Sequence, residues 1–169
     1  MNTTARVTSV IPHRPPALLV DRVAEVEPGR RLVAHQAVGV AGPGFPGRDE
    51  RAARDERSYP IGLLLESWAQ AAVLLACWER PNPDVLAGNV ALLAGVRDAR
   101  AMAPVLPGSL LVHEVRMVRD LGDTVITAGT SSVNGRAVLS VGQLTLALRP
   151  AAALAPAAGT AETTTEKRA

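Results

Sequence analysis

"SYPIGLLLESWAQAAVLLACW", residues 58–78, is apolar at nearly every position, yet it holds one carboxylate, Glu66, with Gln70 four residues on. The run reads as one long helix. Pro60 suits a first turn, where its missing N–H costs nothing, and Ser58 or Tyr59 stands where a cap belongs. The prolines of "RPNP", residues 80–83, end it. Apolar side chains cover every face from Leu63 to Trp78, so the helix must be enclosed on all sides. A membrane span needs about 20 apolar residues. This segment is at the short limit and carries Glu66 and Gln70, so it reads as the core helix of a cytoplasmic protein.

Strands surround that helix on both sides. A first is expected near residues 7–11. A second, "ALLVDRVAEVE" (17–27), turns at "EPGR" into a third, "RLVAHQAVGV" (31–40). Residues 41–58 form a Gly/Pro-rich and then charged loop, a length that usually signals function. After the helix come "NVALLAGVRDAR", "SLLVHEVRMVRD", "DTVITAGTSSV" and "RAVLSVGQLTLALR", expected as a four-strand meander. Asn134-Gly135 between alternating runs is a strong hairpin signal. The fold class is therefore α+β, an antiparallel sheet wrapped around one long central helix. Residues 1–150 form one domain and 151–169, rich in Ala, Thr and Pro, a disordered tail. Pairing two protomers edge to edge would protect the remaining sheet edge.

Composition narrows the function. The 169 residues are 47% hydrophobic and only 2% aromatic, so the core is built from Leu, Val, Ala and Ile. A formal charge of +2, with no basic run interleaved with aromatics, argues against nucleic acid. Cys77 is the one cysteine, which excludes a disulfide framework and a cysteine metal set. No metal site is expected. The N-terminus lacks a basic start followed by an apolar run, so no secretion signal is expected.

Three motifs in order carry a resemblance: "IPHRPPALLVDRVAEVEPGRRLVA", "YPIGLLLESWAQAA" and "ALLAGVRDARAMAPVLPGSLL". Over about residues 11–149 the chain resembles the (3R)-hydroxyacyl-acyl-carrier-protein dehydratases of the FabZ/FabA type, which have the hotdog fold. The resemblance implies a dimer with two tunnels at its interface. In each site a His from one subunit removes the proton alpha to the thioester. A Glu or Asp from the other helps the beta hydroxyl leave as water, giving a trans-2-enoyl thioester. No cofactor is implied beyond the phosphopantetheine of the acyl carrier protein. Glu66 falls at the acidic position, with Gln70 in the Glu-x-x-x-Gln spacing. A carboxyl in an apolar tunnel is poorly solvated, so its pKa is expected to rise until it can donate. Gln70, one turn on, would hold it by a hydrogen bond. The alternative is a Glu that caps the helix or pairs with an Arg.

The pattern breaks before the helix. Where the family has Gly-His-Phe-Pro-Gly, this chain reads "GPGFPGRDERAARDERSYPIG", with no His between Val40 and Glu66. Arg48 falls near the His position, and an Arg stays protonated, so it cannot be a base. Gly62 stands one place late for the N–H that meets the thioester carbonyl. Tyr59 lies beside the helix start and could donate, but as a base it would need a pKa lowered from about 10. His13, His35 and His113 read as structural. A homodimer would then lack the proton-abstracting group, and a heterodimer with a His-bearing partner subunit explains why Glu66 and Gln70 remain. The other readings are a hotdog thioesterase and a non-catalytic acyl-binding scaffold subunit. Arg97, Arg100, Arg119 and the arginines around Arg48 are candidates for contact with an acidic carrier protein.

Overall fold

A computed structural model describes residues 3–39 and 58–154 of the chain. The chain opens with helix α1 (Thr3–Val10), where a strand was expected. Val7, Val10 and Ile11 are all buried, a spacing of three and four residues that fits one helical face and not the alternation of a strand. Strands β1 (Arg22–Glu27) and β2 (Arg31–Ala37) form the first hairpin, with β1 starting later than expected. Helix α2 (Ile61–Cys77) follows, then β3 (Asn89–Ala101), β4 (Leu110–Asp120), β5 (Thr124–Val133) and β6 (Arg136–Pro150). A single 3-10 turn, Ala151–Leu154, comes next, its Ala151 N–H donating to the Gly88 carbonyl at 2.9 Å. Residues 155–169, the expected tail, lie outside the described residues.

All six strands join one antiparallel sheet in the order β1-β2-β4-β5-β6-β3. The expected four-strand meander is therefore only β4-β5-β6. β3 leaves the helix for the far edge, where it pairs with β6 and not with its neighbour in sequence, β4. β2 takes the place beside β4 instead. The β5–β6 hairpin turns at Asn134 and Gly135, both with positive φ (50° and 77°), as a two-residue turn of this twist requires.

The sheet curls around the inner face of α2. Leu64, Trp68, Ala71, Ala72 and Leu75 of the helix are buried, as are Leu32 and Ala34 of β2 and Leu111 and Val115 of β4. Each such side chain contributes about 1.5–3 kcal/mol if large and apolar. Trp68 fixes the register between helix and sheet, its indole N–H donating to the Glu114 carbonyl at 3.2 Å. Gly129 on β5 makes room for that arrangement. A Cβ there would stand 2.0 Å from the Glu114 carbonyl oxygen and 3.2 Å from the Trp68 ring. The obstructing atom is backbone and cannot swing away. Gly129→Ala is expected to cost about 3 kcal/mol, a fall of roughly 6–12 °C in thermal midpoint. An unchanged midpoint would show that the sheet gives way there cheaply.

Candidate active site

Helix α2 is not enclosed on every side, contrary to the expectation from its composition. Ile61, Gly62 and Glu66 are exposed, and Leu63, Leu65 and Ala76 half-buried. Gly62, Glu66, Ala69, Val73 and Ala76 recur at helical spacing and form one strip, open at Gly62 and Glu66 and buried at Ala69 and Val73, with Glu66 as its single charge. The sheet covers the opposite side only, because one curled sheet reaches around part of a helix. The Glu66 side chain is 46% exposed in the protomer. The dry surroundings expected for it are thus not supplied by this chain alone.

Gln70 is fully buried and joins three parts of the site. Its side-chain N–H donates to Glu66 Oε1 at 3.0 Å, the bond expected from the spacing. It also donates to the Ala17 carbonyl at 2.8 Å, and its Oε1 accepts from the Leu19 N–H at 2.9 Å. The amide thereby clamps the segment before β1 onto the helix while orienting the carboxyl.

That segment carries His13, whose Nε2 lies 3.8 Å from Glu66 Oε1. Burial pushes the imidazole pKa below its ordinary value; the Glu66 carboxylate acts the other way, and Arg14 adds to the lowering. The structure therefore brings His13 to Glu66, a juxtaposition the sequence reading missed. The two are 53 positions apart, and no local pattern signals the approach. The quoted opening motif was the available clue, but its role was assigned to structure.

The helix start differs from expectation. Pro60 itself occupies the cap position, with no side-chain capping bond, and the Leu64 N–H donates to its carbonyl at 3.0 Å. Ser58 and Tyr59 precede the cap. The first-turn N–H groups have no acceptor within the helix, so Gly62, with nothing among the described residues within 4 Å of where its Cβ would be, leaves the positive helix end open to a carbonyl oxygen. Tyr59 is buried and its hydroxyl accepts from the Gln36 side-chain N–H at 2.9 Å. Burial raises its pKa, the wrong direction for a base. Tyr59, Pro60, Ile61, Leu64, Met102 and Val105 line an open cleft of about 500 Å³, whose walls do not include Glu66.

The remaining candidates are dispersed. Arg97 and Arg100 are exposed on the edge strand β3, and Arg119 is exposed on β4. Arg48 and the rest of the charged loop lie outside the described residues. His35 is half-buried on β2, and His113 is fully buried in the core, its Nδ1 2.8 Å from the Ser131 hydroxyl. Among the described residues there is no group of three or more His, Cys, Asp and Glu placed to hold a metal ion. None of the described helices is long and apolar enough to cross a membrane.

The family model described as a FabA-like domain matches residues 11–142. The 3-hydroxyacyl-[acyl-carrier-protein] dehydratase FabZ of Anaeromyxobacter dehalogenans is 39% identical over 132 residues, covering 78% of this chain and 81% of the relative. The protein of the same name from Symbiobacterium thermophilum is 46% identical over 109 residues, 64% of this chain and 71% of the relative. Among solved structures, the dehydratase heterocomplex ApeI:P from Xenorhabdus doucetiae aligns with a TM-score of 0.68 at 19% identity, over 88% of this chain and 91% of that one. At that identity the likeness is one of fold, the hotdog arrangement.

Proposed function

We propose that this chain, which belongs to the FabA-like domain family, is a subunit of a 3-hydroxyacyl-acyl-carrier-protein dehydratase, a lyase of fatty acid or polyketide biosynthesis. Its substrate is a 3-hydroxyacyl group held as a thioester on the phosphopantetheine of a carrier protein, and no further cofactor is invoked. The observation that carries this reading is Glu66, held by Gln70 on the exposed N-terminal part of the central helix. There the carboxyl can reach a substrate lying along the strip and protonate its leaving hydroxyl. In this reading the free first-turn N–H groups around Gly62, one turn earlier, would donate to the thioester carbonyl.

A second protomer completes the site in this reading. β3 is an edge strand of 13 residues, long enough to pair with another copy of itself or a related chain. Such a protomer would cover the strip and exclude water around Glu66. The proton-abstracting imidazole would come from that partner, from its own Gly-His-Phe-Pro-Gly stretch, because this chain has none there. The ApeI:P dehydratase is a heterocomplex on the same fold, so two different chains can share it. The exposed Arg97 and Arg100 of β3, with Arg119 and Arg48, would meet the acidic carrier.

The test is a comparison of the purified chain with the same chain co-expressed with a FabZ-type subunit bearing the motif His. Alone, it should form little or no enoyl product from a 3-hydroxyacyl-carrier substrate; the mixed complex should turn over. Full turnover by the pure chain would remove the need for a partner's base, and release of free thiol would point to a thioesterase.

A further inference from the structure

Glu66 has a second neighbour besides Gln70, and the proposed dehydration leaves that neighbour without a task. We propose that His13 is a positioning residue that passes protons to and from Glu66 during turnover. This rests on Glu66 being the acid of the proposed reaction.

The geometry favours such a pair. His13 Nε2 and the Gln70 side-chain N–H address the same oxygen, Oε1 of Glu66, at 3.8 Å and 3.0 Å. The first distance is beyond a made hydrogen bond, and a small side-chain movement or one bridging water closes it. Both sides are held. The Arg14 guanidinium donates to the Ile11 and His13 carbonyls at 2.9 Å each, which stiffens the turn that carries the imidazole. Gln70 ties the continuation of that turn to the helix through Ala17 and Leu19. The His13 Nδ1 is buried with no hydrogen-bond partner among the described residues. His35 and His113 also each bury one unpaired ring nitrogen; what sets His13 apart is that its Nε2 faces the Glu66 carboxylate.

The proton count gives the pair its purpose. Elimination moves the alpha proton to the partner's base, breaks the bond from the beta carbon to oxygen, and takes one proton from Glu66. Water leaves, and Glu66 remains as a carboxylate. The cycle closes when the base returns its proton to solvent and Glu66 regains one. A protonated His13 delivers its Nε2 proton to Oε1 and becomes the neutral imidazole, which takes its next proton from solvent, to which the side chain is 29% exposed. The charged groups acting on His13 are Glu66 and Arg14. Cys77 and Asn82 share its small cleft, and burial raises the Cys77 thiol pKa, so the thiol stays neutral and does not compete for the proton.

Three measurements test this. In the full-length chain alone, nuclear magnetic resonance titration of the His13 ring should show its midpoint falling when Glu66→Gln removes the neighbouring charge; an unmoved midpoint overturns the pairing. In the mixed complex, His13→Gln keeps a polar group but cannot transfer a proton. It should lower kcat by roughly 10²-fold with KM unchanged. His13→Ala should regain part of its turnover on addition of imidazole, which separates proton transfer from lost packing. Full kcat in His13→Gln, or no rescue of His13→Ala, overturns the proposal. Glu66→Gln run in parallel keeps the two readings apart: if it too stays active, the acid assignment fails, and if it alone is inactive, only the role of His13 fails.

Discussion

Glu66→Gln should lower turnover of the assembled dehydratase by roughly 10²- to 10⁴-fold, the range over which a positioned acid contributes, while leaving the fold intact. The substitution is nearly isosteric, and Gln70 can still donate to the remaining carbonyl oxygen. Glu66 is exposed in the protomer, so removing its charge should shift stability by no more than about 0.5 kcal/mol. Activity and stability are therefore expected to separate cleanly. The measurement is enoyl product formed by the mixed complex at matched thermal midpoints. Retained activity would transfer the chemistry to the partner and make this chain a scaffold for it.

Acid should weaken the fold through His113, well before most carboxylates respond. Burial, with a smaller effect from His35, pushes the His113 pKa down to about 3 from an ordinary 6.5. The unfolded chain takes up a proton near pH 6.5 and the folded chain does not until about pH 3. Stability is thus whole above pH 6.5 and is lost progressively as the pH falls towards 3. Each pH unit of that gap is about 1.4 kcal/mol, so the full loss is on the order of 4 to 5 kcal/mol. His13 and His35 are also lowered and act in the same direction. Denaturant unfolding at pH 7.5, 6 and 5 should show the decline, and a His113→Asn variant should flatten most of it. An equally steep decline in that variant would place the acid sensitivity elsewhere.

The fold was legible because its signals are local and repeated. The uninterrupted apolar run of α2, the Asn134-Gly135 turn and the alternation of Val125, Thr127, Gly129 and Ser131 along β5 each specify their element within a few residues. Strand order was not: nothing in residues 89–101 says that they cross to β6. The opening helix was missed because a short Val/Ile-containing stretch fits a strand as well, and only packing of Val7 and Ile11 decides it. Half of the site was legible. Glu66 and Gln70 stand one turn apart, so their bond follows from helix geometry. His13 reaches Glu66 through the docking of a separate segment, which no spacing encodes. The exposure of Glu66 was also hidden, since composition cannot tell a helix face that the chain leaves open from one that it encloses.

Gln70 makes the aim of the Glu66 carboxyl depend on complete assembly of the protomer. The side chain that aims the carboxyl is the one that fastens the opening segment, through bonds to Ala17 and Leu19. A chain whose first twenty residues are clipped or undocked loses two of the three anchors of that amide at once. The aim of the carboxyl and the packing of the N-terminal region are in this way one event: the amide that holds Glu66 is fastened by the same segment that brings Val7, Ile11 and Val20 into the core.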